Sequence, residues 1–293
     1  MVAPAGPDAR ETGHEMIRAR PAAALQPFVT AYSGYRTGAA EPGTHQGVPS
    51  AHLTFLLCLD GTVEVLRMPD PARAPGSFVA MVGGLHDAPA VIAQGAPQTG
   101  LQLRLTWRGA RVLLGVPAGE LAGDVVDLAA LLGRRTAPLL DRLATTPGWA
   151  ERFALLDAAL AGLVPPGQRG ADPAGTAPEV GYAWDRLTAT GGTLRIGALA
   201  REVGWSRRHL ADRFRREVGL SPKAAARVIR FERACDLLRG PRRPALAEVA
   251  ARCGYVDQAH LARDFRDLAG LTATAWLAER PETTAPTAPR PGA

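Results

Sequence analysis

Cysteine, lysine and long apolar runs are what this sequence has least of, and each shortage removes a class of protein. Cys58, Cys235 and Cys253 are the three cysteines in 293 residues, widely spaced and with no C-x-x-C among them. That set supports neither a disulfide framework nor a cysteine-ligated zinc, and reduced thiols are expected. No apolar stretch approaches the roughly 18 residues of a membrane-spanning helix, and Phe153 to Val164 is interrupted by Asp157. The first residues mix Asp8, Arg10, Glu11 and Arg18 with no apolar core, so no secretory signal is read and a cytoplasmic location is expected. Neither G-x-S-x-G, nor a P-loop, nor a Cys-His-Asp constellation occurs, so no catalytic residue is assigned and no enzyme is expected. His14, His45, His52 and His86 are scattered without a close His-x-His pair, so no metal and no cofactor is expected either.

Arginine, by contrast, is abundant, and its placement is uneven. Lys223 is the single lysine among 34 basic residues. Residues 1–192 hold 15 basic against 17 acidic side chains, whereas residues 193–278 hold 17 against 9. A basic excess confined to one region points to a polyanion partner for that region and a different task for the other. The stretch 165–178, PPGQRGADPAGTAP, has four prolines and three glycines and reads as a linker. Residues 1–20 and the proline-rich tail 281–293 read as disordered.

Between these segments the hydrophobic period changes. Leu53, Phe55 and Leu57 alternate with Thr54, Leu56 and Cys58, and Asp60-Gly61 then leads into Thr62 to Arg67, a hairpin signal. Leu101, Leu103 and Leu105 alternate with Gln102, Arg104 and Thr106. From Trp107 onward the spacing becomes helical: Ala110, Leu113 and Leu114; Leu139, Leu140 and Leu143; Phe153, Leu156, Ala159, Leu160 and Leu163. Residues 21–164 are therefore expected to form a β unit followed by helices.

Residues 179–280 contain an internal repeat. LAREVGWSRRHLADRFRREVGLS (199–221) aligns with VAARCGYVDQAHLARDFRDLAGLT (249–272), the second copy carrying one extra residue in its turn. Each copy has the order of a helix-turn-helix: an apolar helix ending at Gly204 or Gly254, an aromatic turn residue, a capping Ser206 or Asp257, and a second helix. Leu210, Phe214 and Val218, and in the second copy Leu261, Phe265 and Leu268, are the inward residues. Arg207, Arg208, Ala211, Asp212 and Arg215 face outward from the first recognition helix. Gln258, Ala259, Ala262, Arg263 and Arg266 do so from the second, with His260 near the edge. Ser221-Pro222 opens a long helix to Gly240 that spaces the two units rigidly, consistent with successive major grooves roughly 34 Å apart.

The duplicated pattern, with Trp276 near the closing aromatic position, resembles the DNA-binding domain of the AraC/XylS family of bacterial transcriptional regulators. The resemblance places Val180, Trp184 and Leu187 on the first helix of that domain. It departs at Val256, where the family often has serine, and at Leu271-Thr272-Ala273, which replaces a frequent serine-proline cap. GVPSAHLTFLLCLDG (47–61) and VGGLHDAP (82–89) look similar to the sensor region of such regulators. The resemblance implies an α+β two-domain protein: an N-terminal β-rich, cupin-like barrel with helices for effector sensing or dimerisation, and a C-terminal all-α double helix-turn-helix domain. The partners implied are promoter or operator double-stranded DNA, a small-molecule effector, a second copy of the chain, and RNA polymerase if the protein activates; no membrane partner is implied.

Individual residues keep two readings. Arg207 and Arg208 can read guanine bidentately or only grip phosphate, with Arg208 favoured for the base. Asp212 either accepts from cytosine or orients Arg208 or Arg215. Gln258 and Arg263 are the base-reading candidates of the second helix, while His209 and His260 suit a structural or phosphate role. Arg227, Arg230, Arg242 and Arg243 are expected to be solvated or to face phosphate. Two other classes stay open: a metal-dependent barrel enzyme with a DNA-binding appendage, and a non-specific DNA binder.

Overall fold

Alternating side chains and left-handed glycine turns set the N-terminal architecture, and two capped helical repeats set the C-terminal one. The computed structural model describes residues 14–168 and 175–278. The described residues contain ten strands: β1 (Glu15–Ala19), β2 (Val29–Thr37), β3 (Gly43–Gly47), β4 (Leu53–Asp60), β5 (Val63–Arg67), β6 (Gly76–Phe78), β7 (Ala80–Gly83), β8 (Ala90–Gln94), β9 (Gln98–Leu105) and β10 (Val125–Asp127). They form a six-stranded sheet, β1-β2-β9-β4-β7-β10, and a four-stranded sheet, β3-β8-β5-β6, with antiparallel ladders. Leu56 and Cys58 of β4 pack with Val63 and Val65 of β5, Met81 and Ala90 between the sheets. On the other face of β4, Leu53, Phe55 and Leu57 join Leu101, Leu103 and Leu105 of β9 in the main core. Burying each such leucine is worth about 1.5–3 kcal/mol.

The hairpin expected at Asp60-Gly61 does not form. β4 is apolar on both faces because it is a central strand, and its two edges are taken by β9 and β7. The chain turns at Gly61, where φ is +79°, and crosses to the second sheet, where β5 pairs with β6 and β8. A second correction concerns the N-terminus. Of the twenty residues expected to be disordered, Glu15–Ala19 form β1 on the edge of the larger sheet, in register with Tyr32–Arg36. Residues 1–13, the centre of the linker (169–174) and the tail 281–293 lie outside the described residues.

Helix α1 (Trp107–Gly109), continued by a wider turn through Leu114, lies between β9 and β10, and α2 (Leu128–Leu132), α3 (Thr136–Thr145) and α4 (Trp149–Ala161) follow β10. The C-terminal domain comprises α5 (Pro178–Ala189), α6 (Ile196–Glu202), α7 (Arg207–Val218), α8 (Pro222–Arg239), α9 (Leu246–Arg252), α10 (Gln258–Ala269) and α11 (Ala273–Ala278). Val180, Trp184 and Leu187 are buried on α5, where the resemblance places them, and Val228, Phe231, Cys235 and Leu238 are buried on α8. Thr272 accepts a hydrogen bond from the Ala275 amide and so caps α11 in place of the serine that the resemblance calls for.

The two regions pack against each other. One continuous core runs from Leu105, Trp107 and Leu114 into Trp184, Leu210, Phe214 and Val218. Trp107 lies 6.4 Å from Trp184, which in turn stacks at 6.1 Å on Phe214. Arg108 forks onto both carboxylate oxygens of Asp185 at 3.1 and 3.0 Å, and Arg111 reaches Glu217 at 2.7 Å. Where residues 118–121 meet the end of α7, a Cβ on Gly119 would sit 2.1 Å from the Arg216 carbonyl oxygen, so only glycine permits that approach.

Candidate nucleic-acid interface

Each recognition helix is built by the same local devices. Gly204 and Gly254 end α6 and α9 with φ of +71° and +76°, a conformation that costs side-chain-bearing residues about 1 kcal/mol or more. Ser206 Oγ accepts from the His209 amide at 3.1 Å, and Asp257 Oδ1 accepts from the His260 amide at 2.7 Å. Such caps contribute about 1 kcal/mol each. Both helices span twelve residues and end at left-handed Gly219 and Gly270, whose amides return to Arg215 and Arg266 carbonyls. The repeated histidines also share a role: His209 meets Trp205 edge-on at 4.6 Å, and His260 meets Tyr255 likewise at 5.1 Å.

With Leu210, Phe214 and Val218 buried, Arg207, Arg208, Asp212 and Arg215 are exposed on α7 and Ala211 is half-buried. With Leu261, Phe265 and Leu268 buried, Gln258, Ala259, Arg263 and Arg266 are exposed on α10, while Ala262 and His260 are half-buried. The eleven candidate residues are therefore carried by the two helices, five on α7 and six on α10, with Ala211, His260 and Ala262 only partly exposed. No ion pair joins Asp212 to Arg208 or Arg215 among the described residues.

Two arginines do not face outward as expected. Arg227 of α8 donates Nε to Asp264 at 2.7 Å and binds Asp267 with its other arm, holding α10 against the long helix. Asp264 is buried, so this is a structural tie in the core of the second unit. Arg230 donates to the Gly192 carbonyl at 2.7 Å and lies over the Tyr255 ring. Arg242 and Arg243 are exposed, in the loop after α8. Sequence reading missed these pairs because partners 37 and 40 positions apart leave no local signal.

A second cluster joins α8 to the N-terminal region. Glu232 of α8 takes the Arg104 guanidinium on one oxygen and the Ala51 amide at 3.1 Å on the other, with His52 Nδ1 3.6 Å away. Burial works against the Glu232 charge, but the Arg104 guanidinium and the Ala51 amide outweigh it and hold the carboxyl down at about 2. Burial, and then the charge of Arg104, push the His52 imidazole below its ordinary value. The ring is thus neutral near pH 7, and its Nδ1 can accept the Arg104 N–H that lies 2.8 Å away. His86 is bonded through Nδ1 to the Ala88 carbonyl at 2.6 Å. Among the described residues no group of three or more His, Cys, Asp or Glu side chains could hold a metal ion, and no helix is long and apolar enough to cross a membrane.

Two cavities adjoin these elements. One, about 120 Å³, lies between the sheets and is lined by His45, His86, Gln102, Leu56, Met81 and Val125 among others. The other, about 100 Å³, sits where the barrel meets α8, beside Arg104, Glu232, Arg239 and Trp276.

Residues 199–279 match a family model described as a helix-turn-helix domain. No curated protein matches the chain. Among solved structures, ToxT from Vibrio cholerae (P21 form, 1.65 Å) is similar with a TM-score of 0.51 at 8% identity, covering 84% of this chain and 97% of that one. ToxT from Vibrio cholerae O395 gives 0.50 at 8% identity, covering 84% and 96%. The same protein bound to (E)-4-(8-methylnaphthalen-1-yl)but-3-enoic acid gives 0.50 at 9% identity, covering 84% and 97%. At these identities the likeness is one of fold, a β-rich region followed by a helical domain. The matched segment carries both capped units, and the C-terminal domain of this chain is a double helix-turn-helix domain that resembles those of the AraC/XylS type.

Proposed function

We propose that this protein is a sequence-specific transcription regulator whose α7 and α10 enter successive major grooves of one operator, and whose N-terminal region binds a small effector. The observation that carries the reading is the matched pair of capped recognition helices with exposed polar faces, mounted on either end of α8. Phosphate contacts supply affinity, and a few side chains on those faces supply sequence. The mixed lining of the cavity between the sheets, and the acid seen bound to ToxT, support a small organic effector. Dimer formation through the N-terminal region, contact with RNA polymerase when the protein activates, and a cytoplasmic location all belong to this reading.

Selection of genomic DNA by the purified full chain tests it. Two half-elements about one helical turn apart are expected, with one blurred by Arg208→Ala and the other by Arg263→Ala. Uniform binding to all DNA, with a steep salt dependence and no motif, would make the domain a general tether instead. Metal retained by protein purified without added metal, and lost on replacing His52 or His86, would favour the barrel-enzyme reading.

A further inference from the structure

The two recognition helices sit in the same frame but carry different chemistry at their tips. Ser206 and Asp257 both cap through the amide three residues on, and both helices run twelve residues to a left-handed glycine. The structural alignment is therefore fixed position by position: Arg207 with Gln258, Arg208 with Ala259, Ala211 with Ala262, Asp212 with Arg263, Arg215 with Arg266. At the helix N-terminus, where side chains reach base edges, the first unit thus presents two exposed arginines and the second an exposed glutamine and alanine. The residue added to the second turn is Val256, just before the cap, and it is 88% exposed, an apolar side chain with no packing role in the protein.

Charge follows the same division. Segment 207–218 has five arginines against Asp212 and Glu217, whereas segment 258–269 has two arginines against Asp264 and Asp267. Arg227, which could have added a positive charge to the second unit's surface, is spent on those two aspartates.

Arginine pairs bidentately with guanine O6 and N7, glutamine with adenine N6 and N7, and small apolar groups contact the thymine methyl. We propose that the operator is compositionally asymmetric: the half-element under α7 is read at guanines by Arg207 and Arg208, and the half-element under α10 opens on A·T pairs read by Gln258, Ala259 and Val256, with Arg263 reading one guanine a helical turn further in. This rests on the proposal that both helices read sequence. It adds which bases each reads and why.

An exchange at matched positions tests it in the full chain. Gln258→Arg with Ala259→Arg is expected to turn the A·T opening of the second half-element into G·C in DNA selection, leaving the first unchanged. Arg207→Gln with Arg208→Ala is expected to do the reverse to the first. Each base pair so exchanged should shift preference by about 5- to 150-fold. Gln258→Arg alone carries the same expectation for one base pair and alters a single exposed side chain, should the double variant not fold. A wild-type motif with G·C at the opening of the second half-element, or a motif unmoved by the exchanges while affinity rises or falls uniformly, overturns the assignment and leaves sequence-specific binding standing. Absence of any wild-type motif would instead overturn the parent reading and this one with it.

Discussion

The two helix-turn-helix units have the same internal plan and opposite relations to the rest of the molecule. The first closes its core with the barrel: Leu210, Phe214 and Val218 share one cluster with Trp107, Leu114 and Trp184. The second closes its own: Leu261, Phe265 and Leu268 pack with Phe231, Leu238, Tyr255 and Trp276, and the N-terminal region adds Val48 at the edge. A change inside the barrel therefore reaches the first unit through continuous packing, but reaches the second through the Glu232 tie on α8 and the edge contact of Val48. Coupling between an effector and DNA should accordingly be read first in the half-element under α7.

Removing one tryptophan from each side is the strongest way to break this contrast. Trp184→Ala and Trp276→Ala should each cost about 3–5 kcal/mol. Amide hydrogen exchange is expected to distinguish them: the first should loosen the barrel strands around β9 as well as α5 to α7, the second only α8 to α11. Equal loosening of the barrel by both would mean that the two cores are not separate.

The tie between α8 and the barrel is the next largest effect. Glu232→Gln leaves the Arg104 guanidinium without its carboxylate partner and should cost about 2 kcal/mol, a value reduced for partial exposure at the site. A fall in melting temperature without change in the selected DNA motif is the expected result. A changed motif would mean that α8 position governs base reading.

Acid provides the gentlest probe of the same tie. His52 is held neutral, with a folded value below its ordinary 6.5, so its contribution is complete above that value and is lost as pH falls below it. Glu232 remains charged over this interval because its own value is about 2. Melting temperature should decline from neutral pH towards pH 5.5 more steeply in the wild type than in His52→Asn. Identical slopes would remove His52 from the account.

Much of this was legible because its causes are local. Caps at Ser206, Asp257 and Ser221, the glycine turns and the inward residues of α7 and α10 depend on neighbours within four positions, and the sequence states them. The partner of β5 was not legible, since alternation tells that a strand is buried but not which sheet it joins. β10 was missed for a related reason: three residues between helices carry too short a period to register. Arg227 and Arg230 were misplaced because an arginine on a basic surface and one folded back onto Asp264 or Gly192 look alike until the helices are packed. The side chains lining the outward faces could be identified in advance, as exposed positions follow from the helical period once the buried ones are known.

The shared core also has a consequence for how the protein is made. Trp107 and Leu114 leave the ribosome more than a hundred residues before the last member of their cluster, Ile229. At about 5–20 residues per second, the nascent barrel waits roughly ten seconds with an uncovered apolar face. Cells would need to shield that face during synthesis, and the N-terminal region expressed without residues 178–229 should aggregate.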